Sequence, residues 1–253
     1  MKSASQLPDP VLTAEKLLAR ARIDAPPVNL SHITSIWPNL FVVEEELDGT
    51  GYLLPIGELG AEILIKKDDS EERKRFTIAH ELGHWVLGLT LKRKIGHFAQ
   101  PKNVRHFELE RWCDTFASNI LMPSAMIRAS VPQTDPVLAV VSIAQAASRF
   151  KVSEEAFYIR LWETLKFQVA LVTLKNESGE RACAFHSFAG KRENLALEKF
   201  LCKPAVIAQL EGSPFPILSV SSETGRITCA GRRLDVDRLM LVLNWPESEL
   251  DSD

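Results

Sequence analysis

His80 and His84 stand four residues apart in a segment whose apolar residues, Phe76, Ile78, Ala79, Leu82, Val86 and Leu87, recur with a helical period. That spacing stacks the two imidazoles on one helix face, with Cβ atoms about 6 Å apart, close enough to share one divalent metal. Ser70 is placed to cap this helix, Glu71 and Glu72 suit the positive end of its dipole, and Gly88 is placed to end it. Glu81 sits beside the histidine face. A carboxylate there can take the proton of a water at the metal's open position without being a ligand. A short His-Glu-x-x-His stretch also arises by chance on helices, but two features argue against chance here. Apolar residues flank the motif, so the histidines are not simply part of a solvated face. Gly83 lies between them, at a cost of about 1 kcal/mol against alanine, and such a glycine allows another element to approach closely.

A catalytic zinc needs a third protein ligand. A metzincin arrangement would require glycine and histidine where this chain has Leu87 and Thr90, so the ligand comes from elsewhere. A second helical pattern covers residues 105–122, with a stripe of Leu109, Trp112, Cys113, Phe116, Ala117, Ile120 and Leu121, and is stopped by Pro123. It offers Glu110, on one face with the small Cys113 and Ala117. Asp114 follows one turn later, so both carboxylates can point at one site, with Asp114 as the group that orients a ligand histidine. Glu108, His97 and His106 compete for the ligand position. His97 and His106, in or beside a polar, basic loop at about 90–104, are also candidates for stabilising an oxyanion.

The flanking sequence reads as α+β. A helix over 12–22, with Thr13 as its cap, precedes three strands: Leu40–Glu46, Tyr52–Leu54 and Glu62–Lys66. The last is placed as a possible sheet edge to which an extended peptide could add. Two helices fill 137–165, split at Lys151-Val152-Ser153 with helix-turn-helix spacing. Glu154 and Glu155 open the second of these, which argues against direct DNA binding. From residue 166 the pattern is strands at Phe167–Leu174, Ala182–Phe188, Ile217–Val220, Arg226–Ala230 and Leu239–Trp245, with one helix at about Glu193–Gln209. The expected division is a metallopeptidase domain over 1–130, a helical segment over 131–165 and a C-terminal α/β domain over 166–253.

Of the 253 residues, 30 are Lys or Arg and 33 are Asp or Glu, giving a net charge of -3, which is not the strongly basic balance of a nucleic-acid-binding chain. The four cysteines are scattered without a Cys-x-x-Cys pair and read as reduced, mostly buried thiols. No signal-peptide pattern opens the chain, and no apolar run reaches the roughly 18 residues that span a bilayer. The expectation is a soluble cytoplasmic protein.

Two segments together carry a family resemblance. Arg75-Phe76-Thr77-Ile78-Ala79-His80-Glu81-Leu82-Gly83-His84 resembles the zinc helix of the ImmA/IrrE metallopeptidases. The run from Glu110 to Pro123, Glu-Arg-Trp-Cys-Asp-Thr-Phe-Ala-Ser-Asn-Ile-Leu-Met-Pro, resembles that family's second motif. Ala25-Pro26-Pro27-Val28 and Phe150-Lys151-Val152-Ser153 also fit, and the resemblance covers about residues 10–165. It implies a zincin-like fold, Glu110 as third zinc ligand beside His80 and His84, and Glu81 as the general base. It further implies a helix-turn-helix repressor as substrate, whose cleavage derepresses stress-response or mobile-element genes, and a GAF-like C-terminal domain. Two histidines and a carboxylate suit Zn²⁺, with Mn²⁺ as the alternative metal. The competing expectation is a non-proteolytic regulator or toxin–antitoxin component that binds a repressor or DNA.

Overall fold

Asp9, not Thr13, caps the first helix. In the computed structural model the Asp9 carboxylate accepts from the backbone N–H groups of Val11 and Leu12, and Pro10 occupies the first helical turn of α1 (Pro10–Arg20). Proline there lacks only an N–H that would be unpaired anyway, which is why the helix begins two residues before the expected start. The structure describes residues 7–57, 59–91, 104–131, 136–165, 168–177, 180–187, 217–222, 225–234 and 238–244. A short α2 (Leu30–Thr34), capped by Asn29, is an element that no apolar period announced.

Three strands follow: β1 (Leu40–Glu45), β2 (Gly51–Ile56) and β3 (Gly60–Lys66). Their order is β1-β3-β2, with β1 parallel and β2 antiparallel to β3. The expectation that Glu62–Lys66 forms a sheet edge is therefore wrong. β3 is central, and its alternation buries Ala61, Ile63 and Ile65 on one face. β2 is an edge, and Pro55, which has no N–H to give a ladder, fits only such a position.

α3 (Glu71–Leu91) packs on β2 and β3 and against α4 (Val104–Leu121). Ser70 caps it through Oγ, which accepts from the Arg73 N–H at 3.2 Å. Gly88 does not end the helix. It is buried within α3, which runs on to Leu91. Lys74 ties the start of α3 to β1, with its Nζ 2.9 Å from Glu44 Oε2 and 3.6 Å from Glu71 Oε1. Arg75 donates to the carbonyls of Val28 and Lys151 at 2.9 and 3.2 Å, and Lys151 takes a left-handed φ of 55°. α4 buries Trp112, Cys113, Phe116, Ala117, Ile120 and Leu121, the expected stripe apart from the half-buried Leu109. Trp112 Nε1 donates to the Pro8 carbonyl at 2.6 Å and so anchors the chain ahead of α1.

The chain divides into two compact units, Met1–Met126 with Arg149–Val152, and Ile127–Ser148 with Ser153–Asp253. α5 (Ser124–Ser130), α6 (Pro136–Phe150) and α7 (Glu154–Leu165) follow α4. In the second unit, β4 (Gln168–Glu177), β5 (Glu180–Ser187), β6 (Ile217–Ser222), β7 (Gly225–Arg233) and β8 (Arg238–Asn244) form one antiparallel sheet in the order β5-β4-β8-β7-β6. The expected helix at 193–209 lies outside the described residues. No helix among the described residues is long and apolar enough to cross a membrane.

Candidate metal centre

The helical period places His80 and His84 one turn apart on α3, with ring centroids 5.0 Å apart. Both face Glu110 on α4. Nε2 of His80 is 3.2 Å from Glu110 Oε2, and Nε2 of His84 is 3.4 Å from Oε1. One ligand atom from each of the three residues falls within 4.8 Å of the others, the arrangement a single ion requires. Tetrahedral donors at about 2.1 Å from zinc lie about 3.4 Å from one another, so the donor spacing fits the metal with little adjustment.

Nδ1 of His80 is 2.9 Å from Asp114 Oδ1. A proton on Nδ1, donated to that carboxylate, leaves Nε2 with its lone pair toward Glu110, which is the tautomer a metal ligand needs. Glu108 is an exposed residue of α4 and is not among the three clustered groups. His97 lies outside the described residues. His106 falls in α4, and its side chain is not among those described.

Gly83 explains why the helices can approach so closely. A Cβ built there would lie 3.2 Å from the Phe116 ring and 3.3 Å from both Cα and Sγ of Cys113. The Cys113 thiol is buried, and burial, reinforced by the charges of Glu110, Glu81 and Asp114, pushes its ionisation far up. It packs as a small apolar group and is not poised as a thiolate.

Charge in the cluster is strongly coupled. Burial disfavours charged His80, but the hydrogen bonds to Asp114 and Glu110 and the nearby Glu81 outweigh it and raise its pKa to about 9. Glu110 is held well below the usual carboxylate range by its hydrogen bonds to His80 and His84. Glu81 moves the other way. It is buried, and desolvation raises its pKa, against the lowering effect of the two histidines. The backbone of Leu53, on edge strand β2, faces the Glu81 carboxylate and works against the rise. That contact has no signal in the sequence, because a main-chain group leaves no side-chain signature. The Phe76 ring, one turn before His80, lies 6.2 Å from it.

Residues 42–162 match the family model described as the IrrE N-terminal-like domain. Among solved structures, a transcriptional regulator from Mycobacterium tuberculosis superposes with a TM-score of 0.58 over 93% of this chain and 86% of that one, at 13% sequence identity. At that identity the likeness concerns the fold alone. No protein of curated function matches the chain.

Proposed function

We propose that this chain, whose residues 42–162 match the IrrE N-terminal-like family model, is a zinc-dependent, site-specific endopeptidase whose substrate is a helix-turn-helix transcriptional repressor. The observation that carries the reading is the convergence of His80, His84 and Glu110 on one point, with a buried carboxylate, Glu81, beside them. The donor set suits Zn²⁺, with Mn²⁺ the alternative. His80, His84 and Glu110 would hold the ion, with Asp114 orienting His80.

When bound, the metal supplies Lewis acidity that polarises a peptide carbonyl and makes water acidic enough to attack it near neutral pH. Glu81 accepts the proton of the attacking water and delivers it to the leaving amine nitrogen. Its desolvated position favours that work, since a carboxylate with a raised pKa is the stronger base. Edge strand β2 borders Glu81 through Leu53, so an extended peptide pairing with this edge would bring its carbonyl toward the site. His97 and His106 are the proposed oxyanion donors.

The division into a peptidase domain over 1–130, a helical segment over 131–165 and a C-terminal domain over 166–253 belongs to the same proposal. A sheet with its first and last strands, β4 and β8, adjacent near the middle supports the GAF-like reading of the last part. The test is Glu81→Gln. It should retain one zinc per chain by elemental analysis and lose cleavage of a repressor that the wild type cuts. Cleavage by the variant at the wild-type rate would remove Glu81 from this role.

A further inference from the structure

The three-stranded sheet has a face turned away from the buried Ala61, Ile63 and Ile65. Directly paired residues share a face of a sheet. The register therefore sets Phe41, Glu62 and Leu54 in one row across β1, β3 and β2, and Val43, Leu64 and Tyr52 in the next, with Ile56 one step beyond Leu54. Phe41 is 51% exposed, Tyr52 49%, Leu54 45% and Ile56 41%. A contiguous set of large apolar side chains on one sheet face differs from the isolated exposed leucine of an ordinary surface, and such patches mark interaction sites. Glu62 stands in the middle of its row between Phe41 and Leu54, and its carboxylate makes no ion pair among the described residues. Glu45 and Lys66 are register neighbours at the end of the sheet and offset each other. Glu46 and Asp48, both exposed, add negative charge in the connection from β1 to β2.

We propose that this face docks the apolar side of a basic amphipathic helix presented by a protein partner. Charge separates this occupant from the others. A second copy packed about a twofold axis would bury two Glu62 carboxylates in one interface, and the row Phe41–Glu62–Leu54 offers neither of them a cation. An anionic lipid surface would be repelled by the same carboxylate. A helix with apolar residues at i, i+3, i+4 and i+7 fits the Phe41–Leu54–Tyr52–Ile56 surface, and a flanking lysine or arginine reaches Glu62. β2 links this face to the metal centre, because Leu54 points outward while the backbone of its neighbour Leu53 faces Glu81. Taking the repressor as this partner rests on the function proposed above. Docking itself does not depend on cleavage and is tested without it.

The test uses the full chain carrying Glu81→Gln and two synthetic amphipathic helices of roughly four turns. One carries lysine on its polar face and the other glutamate, with identical leucines. Calorimetric titration should show the Leu/Lys peptide binding at least about tenfold more tightly than the Leu/Glu peptide, a difference of about 1.4 kcal/mol. The double variant Tyr52→Ser/Leu54→Ser, at exposed positions whose fold is checked by its melting curve, should weaken the Leu/Lys peptide by a similar factor. Glu62→Lys should reverse the preference between the two peptides. Three results overturn the proposal: equal binding of the two peptides, unchanged binding by the double variant, or a wild-type dimer that the double variant abolishes. None of them bears on whether Glu81 is the catalytic base, since the variant used does not need to cut anything.

Discussion

Nδ1 of His80 lies 2.9 Å from Oδ1 of Asp114, so a carboxylate on α4 holds the ring nitrogen that does not face Glu110. One helix thus supplies both the third donor of the candidate metal centre and the group that turns the first donor toward it. Removing such a supporting carboxylate weakens metal binding by about 10–100-fold in comparable sites. Asp114→Ala should show a loss of that size in competition with a chromophoric chelator. Asp114→Asn keeps an acceptor oxygen and should lose less. Wild-type affinity in the alanine variant would contradict the orienting role.

The same cluster makes the metal-free protein sensitive to pH. His80 has a folded pKa of about 9, above its ordinary 6.5. Its contribution to stability is therefore complete below about 6.5 and is lost as pH rises through about 9. Glu110 is depressed below its ordinary 4.5, so its contribution is present above that value and is lost as pH falls toward the folded pKa. Chelator-treated protein should thus melt at progressively lower temperature from about pH 6.5 to 9, and His80→Gln should remove that slope. A slope that survives the substitution would assign it to other groups.

Gly83 sets the distance between α3 and α4. The Phe116 ring and the Cys113 backbone leave no room for a branched side chain, and backbone cannot swing aside as a side-chain tip can. Gly83→Val should cost about 1–3 kcal/mol, the usual penalty for overpacking a core. It should also lower zinc affinity, because Glu110 would be displaced from the two histidines. Denaturant unfolding and the chelator competition read the two effects separately. A variant as stable as the wild type with full zinc affinity would show that Gly83 does not set the distance between the two helices.

Asp9 and Thr13 can be told apart at the start of α1. Asp9→Ala removes an acceptor used by two backbone N–H groups and should cost about 1 kcal/mol. Thr13→Val removes only a hydroxyl that donates to the Asp9 carbonyl, so it should cost less. Denaturation midpoints in the opposite order would return the cap to Thr13.

The legible parts of this molecule are those where a short-range pattern determines the outcome. Helical spacing brought His80 and His84 together, and the one-turn separation of Glu110 and Asp114 placed both carboxylates toward the histidine helix. The small residues Gly83 and Cys113 marked where the two helices meet. What escaped depends on tertiary context. Strand order is not written in a strand's own alternation, so Glu62–Lys66 was expected at an edge, yet it pairs on both sides. Gly88 has the residue type of a terminator, but packing carries α3 past it to Leu91. The Leu53 group that faces Glu81 belongs to a backbone that every residue type shares.

Whether this candidate metal centre cuts a repressor can be read by mass spectrometry. The zinc-loaded protein is incubated with the helix-turn-helix protein encoded nearest its gene, with and without chelator, and beside the Glu81→Gln variant. Two fragments from a single bond, formed only by the zinc-loaded wild type, are expected. An intact repressor in all three reactions, bound to the zinc-loaded protein but never cleaved, would contradict the proposed function and favour a non-proteolytic regulator.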